Sequence, residues 1–317
     1  MRWAWCSASA ATTTFTTSPQ TFSAFRVITW GAPTWPPKPP GARSAPGSPG
    51  RFSIFDIQQL ERARLKLADA LGMRGDEVVA LVGGGGKTTA MFRLAREMVD
   101  NGGRAITTTT THIFAAQIAL APAHFPAADA TRERVSAALA AHRHVLVIGA
   151  TNPSTGRAAG PSLDLFRRLR TWCPGVCILN EADGSRMLPF KAPAEHEPVI
   201  PVDTTLVVPV VGADVFGKTL DADHVHRPQL VSALSGAPLG TPITPEIVAR
   251  VLAHPEGGRK GVPVGARVVV LINKVESLPD RTPARETAER LLREPAIHSV
   301  VLTTLRGERP VLEICTR

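Results

Sequence analysis

Residues 78 to 96 constrain this chain more than any other stretch. Val78-Val79-Ala80-Leu81 is a compact apolar run of the kind a buried strand uses, and Ala90-Met91-Phe92-Arg93-Leu94-Ala95-Arg96 has helical spacing. Between them lies Val82-Gly83-Gly84-Gly85-Gly86-Lys87-Thr88-Thr89. Strand, glycine loop, Lys-Thr and helix is the order that a phosphate-binding loop requires. Glycines let successive N–H groups curl into one concavity that holds an anion. The helix that follows adds the positive end of its dipole. Lys87 can supply a charge to the outer phosphates and Thr88 a hydroxyl to Mg²⁺, so ATP or GTP with Mg²⁺ is the expected cofactor. The plain alternative is a glycine-rich turn. Four consecutive glycines would weaken such a turn without need, and Lys-Thr-Thr has no structural reason to follow it.

The spacing narrows the loop type. The common form has a glycine five positions before Gly86, where this chain has Leu81. The pattern is instead that of the variant Lys-Gly-Gly-x-Gly-Lys-Thr-Thr, found in nucleotide-dependent metal-insertion and partitioning proteins. Val82 stands where that variant has its first lysine, which reaches across a nucleotide-sandwich dimer, so that dimer mechanism loses its key residue here. Gly-x-x-Gly-Lys-Thr-Thr also occurs in the amino-acid ligases of peptidoglycan synthesis. The loop alone leaves the reaction open.

A hydrophobic content of 44% and a charged content of 20% over 317 residues suit a substantial globular core. The net charge of +9 would ordinarily raise nucleic-acid binding. Its distribution argues against that partner. Arg2, Arg26, Lys38, Arg43 and Arg51 precede the first acidic residue, Asp56, which leaves +4 spread with both signs over the remainder. Cys6, Cys173, Cys177 and Cys315 form no familiar metal spacing, and Cys177 lies in an apolar run as a buried thiol would. With a nucleotide loop, this usage implies a reducing cytoplasm. No apolar run approaches the ~20 residues that span a bilayer, so no membrane partner is expected.

Residues 1–52 are rich in Ser, Thr, Pro, Ala and Trp without periodicity, and read as a disordered extension or as sequence ahead of the true start. Residues 53–317 then form one nucleotide-binding domain. Ser53 and Asp56 have capping-box spacing, and Ile57, Leu60, Leu67 and Leu71 continue a helix closed by Gly72. Strand-like runs recur at 104–108, 145–148, 176–179, 205–208, 268–272 and 300–302, with helical patterns at 132–141, 163–172, 245–253 and 283–293. Alternation of strands and helices, with strands apolar on both faces, predicts a three-layer α/β fold of the phosphate-loop NTPase type around a mostly parallel sheet.

The run at 176–179 ends in Asn180-Glu181-Ala182-Asp183-Gly184. Such folds place the Mg²⁺ carboxylate, or the residue that positions water, at the carboxyl end of a buried strand. Glu181 and Asp183 share one parity and point the same way on an extended chain. Both are catalytic candidates beside Lys87, and Asp183 joins Thr88 as a metal candidate. A simple Asp-Gly turn is the alternative. The segment from Lys191 to Pro198 displays Lys191, Glu195, His196 and Glu197 between prolines. Asp221, Asp223, His224 and His226, before Arg227, could ligate a divalent metal or form a hydrogen-bonded loop. Asn273-Lys274-Val275-Glu276 approximates the Asn-Lys-x-Asp element that contacts guanine, with Glu where Asp is usual, so Asn273 and Lys274 are nucleotide-binding candidates.

Taken in order, these segments resemble the YqeC-type proteins, selenium-dependent hydroxylase accessory proteins. The likeness rests on residues 81–89, on Thr107-Thr108-Thr109-Thr110-Thr111-His112-Ile113-Phe114, on Glu181-Ala182-Asp183-Gly184-Ser185-Arg186, on 191–198, on His226-Arg227-Pro228 and on Leu271-Ile272-Asn273-Lys274, and spans roughly residues 55 to 305. The resemblance implies a cytoplasmic nucleotide-binding factor that helps mature a selenium-containing cofactor of molybdenum hydroxylases. It marks Thr110, His112, Arg186, Lys191, Glu195, His196, His226 and Arg227 as candidates for contact with a substrate or client. Two classes of function stay open: an NTPase that transfers or hydrolyses the terminal phosphate, and a nucleotide-gated carrier or chaperone with little turnover of its own. A small kinase or ligase is a third.

Overall fold

Alternate residues of each strand serve different layers. In the computed structural model, which describes residues 65–317, the strands are β1 (Val78–Gly83), β2 (Ala105–Thr109), β3 (His112–Phe114), β4 (His124–Pro126), β5 (His144–Ile148), β6 (Thr151–Asn152) and β7 (Arg157–Ala159). They continue with β8 (Cys177–Glu181), β9 (Phe190–Lys191), β10 (Leu206–Gly212), β11 (Val225–His226), β12 (Arg267–Asn273), β13 (Ser299–Thr303) and β14 (Val311–Cys315). Val79 and Leu81 of β1 pack with Met91 and Leu94 of the helix Lys87–Asp100 and with Leu67 and Leu71. Val78, on the opposite face, packs with Leu139, Phe166 and Leu169 of the helices Arg132–His142 and Leu163–Trp172. Further along that face, Val268, Val270 and Ile272 meet Val248, Val251 and Leu291 of the helices Pro245–Ala253 and Thr282–Leu291. The expected three layers are present.

Nine strands form the main sheet in the order β14-β13-β12-β10-β1-β8-β2-β5-β4. All its neighbours run parallel except the edge pair β13 and β14. Strand β8 is inserted between β1 and β2, with Glu181 in register with Leu81 on one side and Thr109 on the other. The chain thus grows away from β1 in both directions, which makes the carboxyl ends around β1 a switch point where ligands bind. A small antiparallel sheet, β3-β7-β6, and a two-stranded parallel ladder, β9 with β11, lie beyond the main one.

The expected helices form close to their predicted bounds. Thr131, Ser162 and Thr244 cap three of them by accepting the backbone N–H of Arg134, Leu165 and Ile247. The helix expected from Ser53 is described only from Leu67 to Ala70; its start, the domain boundary near residue 52 and the N-terminal extension lie outside the described residues. Among the described residues no helix is long and apolar enough to cross a membrane.

Candidate active site around the glycine loop

Close packing explains the run of glycines. At Gly85 (φ +78°) a Cβ would stand 2.1 Å from the Gly212 nitrogen, and at Gly86 (φ +139°) it would stand 2.4 Å from Asn273 Nδ2. The loop is therefore wedged between β10 and the end of β12. Three of its N–H groups already bond inside the protein, contrary to the expectation that the glycines themselves form the anion nest. Gly83 donates to both carboxylate oxygens of Asp183 at 3.0 Å, Gly84 to Val210 O at 2.9 Å and Gly85 to Leu188 O at 3.2 Å. What stays open is the first turn of the helix Lys87–Asp100. Its ladder starts with Ala90 N–H to Gly86 O, and no side chain caps it, unlike the three helices above. That turn faces a cleft of about 490 Å³ lined by Lys87, Thr88, Thr89 and Glu181, with Asn273 and Lys274 at the end of β12, His112 at the start of β3, and Arg186 on the segment after β8.

The side chains behind the loop form a chain of ion pairs. Lys87 is buried, donates to Gly83 O at 2.5 Å, and lies 3.3 Å from Asp183 and 3.7 Å from Glu181. Burial pulls its ammonium down, but Asp183 and Glu181 outweigh that and hold it above the ordinary value. Thr88 Oγ1 donates to Glu181 Oε2 at 2.7 Å. Burial pushes the Glu181 carboxyl up against the opposing pull of Lys87 and Thr88. Asp183 continues to Lys191 at 3.1 Å, Lys191 to Glu197 at 2.5 Å, and Glu197 to Arg227 at 2.7 Å. Burial opposes ionisation of Glu197, yet the hydrogen bonds from Arg227 and Lys191 bring its carboxyl down to about 2. His226 stands opposite Lys191 in the β9–β11 ladder. Burial, then Arg227, Lys191 and Arg186, lower its imidazole to about 4.

The family model described as YqeC protein matches residues 79–229, from β1 into the helix that starts at Pro228. The protein YqeC of Escherichia coli (strain K12) is 34% identical over 203 residues, which are 62% of this chain and 75% of that relative. The chain belongs to the YqeC family. The chloroplast FtsY structure from Physcomitrella patens is a looser likeness, with a TM-score of 0.28 and 12% identity over 80% of this chain; the chain spans 59% of that structure.

The segments shared with the YqeC-type proteins divide between the cleft and its support. Thr107, Thr108 and Thr109 are fully buried, bonding to His144, Val147 O and Glu181 O. Thr110 donates to Val199 O at 2.6 Å and does not line the cleft, whereas the exposed His112 does. Arg186 is exposed in the cleft wall. Lys191 and Arg227 are tied into the buried chain, and Glu195 and His196 are exposed on a loop outside the cleft. Of the two metal candidates, the Thr88 hydroxyl meets Glu181, and Asp183 is engaged by Gly83, Lys87 and Lys191. The Asp221 carboxylate accepts from the Asp223 and His224 backbone and from His224 Nδ1, closing a local turn, and no three potential ligands converge on a metal site among the described residues.

Asn273 has a role that its motif did not reveal. It is buried, donates from Nδ2 to Gly85 O at 2.8 Å, and accepts from Leu305 N–H at 3.1 Å. It clamps the glycine loop to the segment after β13. Lys274 pairs with Asp214 at 2.6 Å in the cleft wall. The sequence pattern also missed Phe114, Arg157, Leu305 and Arg306, all of which line the cleft.

Proposed function

We propose that this chain binds ATP or GTP with Mg²⁺ in the cleft before Lys87 and Thr88, and transfers or hydrolyses the terminal phosphate. The observation that carries this is the uncapped helix N-terminus with Lys87, Thr88 and Glu181 gathered at it. Uncapped N–H groups and an axial dipole favour phosphate. Thr88 Oγ1 and Glu181 Oε2, 2.7 Å apart, are hard oxygen donors of the sort that hold Mg²⁺ together with phosphate oxygens and water. A cation bound there would neutralise phosphate charge. Lys87, kept protonated by its two carboxylates, supplies fixed positive charge to the same end. Glu181 would hold the cation's water or orient the attacking group. Asp183 holds Lys87 and the Gly83 backbone in place. The nucleoside lies toward Lys274 and Glu276, where Glu276 offers guanine an acceptor.

The family resemblance extends this to maturation of a selenium-containing cofactor of molybdenum hydroxylases. A nucleotide-gated carrier is the second reading. It is favoured by the ion-pair chain, which links Lys87 to the Glu197 loop and to Arg227, outside the cleft. Steady-state phosphate release by the protein alone supports the enzyme, and release only on addition of a molybdenum hydroxylase supports the carrier. For both, Lys87→Ala should weaken nucleotide binding by roughly ten- to a hundredfold, the equivalent of ~1.5–3 kcal/mol for a charged hydrogen bond. Unchanged affinity in a calorimetric titration overturns the assignment.

A further inference from the structure

The cleft is longer than a phosphate site, and its two ends differ in charge. The end toward β12 carries two carboxylates, Asp214 and Glu276, balanced by Lys274 and Arg306. The other end hangs from β8, β2 and β5, on the opposite side of β1 in the sheet, and its lining holds Arg157, Arg186 and His112 with one carboxylate, Glu181, which Thr88 and Lys87 already engage. We propose that this basic end binds a second ligand, a small molecule bearing a phosphate or carboxylate on an apolar body, beside the outer phosphates of the nucleotide. The proposal rests on the reading above that the nucleoside occupies the β12 end.

Three observations support a built site. Arg157 and Phe114 are cross-strand partners in the β3–β7 ladder, and the guanidinium lies 5.1 Å from the ring centroid. Stacking of this kind fixes the guanidinium plane and leaves its N–H edge for a bidentate oxyanion. Gln117 accepts the Phe114 N–H at 2.9 Å and so anchors that platform. Second, among the described residues neither Arg157 nor Arg186 donates a hydrogen bond to the protein, whereas Lys87 and Lys274 in the same cleft are both paired. Third, Arg186 and Met187 adopt left-handed backbone conformations (φ 51° and 64°), and Met187 is 79% exposed beside the cleft. Non-glycine residues in that region are uncommon and cluster where a side chain must be aimed. Met187 offers the apolar contact and Arg186 the charge.

Two probes test this, phenyl phosphate and benzoate, each titrated calorimetrically into protein saturated with Mg²⁺ and a non-hydrolysable nucleotide. Binding of phenyl phosphate alone identifies a phosphoanion site, and binding of benzoate identifies a carboxylate site. Either supports the proposal provided that Arg157→Gln or Arg186→Gln weakens it by roughly tenfold or more, with nucleotide affinity within twofold of the parent. No binding of either probe to the parent protein overturns it, as does binding unchanged in both variants. The underlying nucleotide reading is tested by its own titration. Where that fails, the probes titrated into Lys87→Ala protein, with and without Arg157→Gln, still decide the second site.

Discussion

Behind the glycine loop, Lys87, Lys191 and Arg227 alternate with Asp183 and Glu197 in contacts of 2.5 to 3.3 Å; in front of it, Arg157 and Arg186 meet no carboxylate. In the first group Lys87, Asp183 and Lys191 are buried, where an unpaired charge costs several kcal/mol, and Glu197 and Arg227 are half-buried beside them. The second group is exposed, where water satisfies it and a partner within the protein would add little. Paired charges hold the loop in shape, and solitary ones are left for a ligand.

Asp183→Ala attacks that contrast hardest. It would strip Lys87 and Lys191 of a shared carboxylate and Gly83 N–H of its acceptor, and should cost about 3–5 kcal/mol of stability. Denaturant unfolding measures this, and a loss under about 1 kcal/mol would break the distinction. Glu197→Gln comes next. A carboxyl lowered to about 2 in the fold from an ordinary value of 4.5 contributes stability that is present above pH 4.5 and lost as pH falls toward 2. The variant should lose on the order of 3 kcal/mol at neutral pH and show a flatter acid profile in that window. Parallel pH profiles for the two proteins would remove Glu197 from the structural group. Asn273→Ala leaves Gly85 O and the buried Leu305 N–H without their partner and should cost about 1–3 kcal/mol. A neutral result in thermal unfolding would mean that the clamp is dispensable. Smallest of all, Arg186→Ala should shift stability by less than about 0.5 kcal/mol. A larger loss in the same unfolding assay would make Arg186 structural after all.

The parts legible in the sequence are those whose chemistry is local. Strand, glycine loop, Lys-Thr and helix are contiguous, and the parity of Glu181 and Asp183 correctly puts both within 3.7 Å of Lys87. Which of the two meets Thr88 depends on the register of β8 against β1, a pairing that no local pattern encodes. Likewise the ion pairing of Lys191 and Glu197 escapes the local pattern, because Glu197 also needs Arg227, which comes 30 residues later. Arg157 and Phe114 sit in strands of three residues, too short for periodicity to register. The helix Pro228–Ser235 could have been read from Pro228 at its start and Gly236 at its end.

The insertion of β8 between β1 and β2 also bears on how the protein is made. Both neighbours of β1 are distant in sequence: Gly83 finds Asp183 100 residues later, and β10 follows later still. During synthesis from the N-terminus, the glycine loop is therefore complete as sequence long before its strand has anything to pair with. An unpaired apolar strand is sticky, and pairings this far apart form slowly. A chain interrupted before residue 206 would carry every residue of the loop and lack β10 and β12, against which Gly85 and Gly86 pack. Anion binding at Lys87 would then report that the whole sheet has assembled.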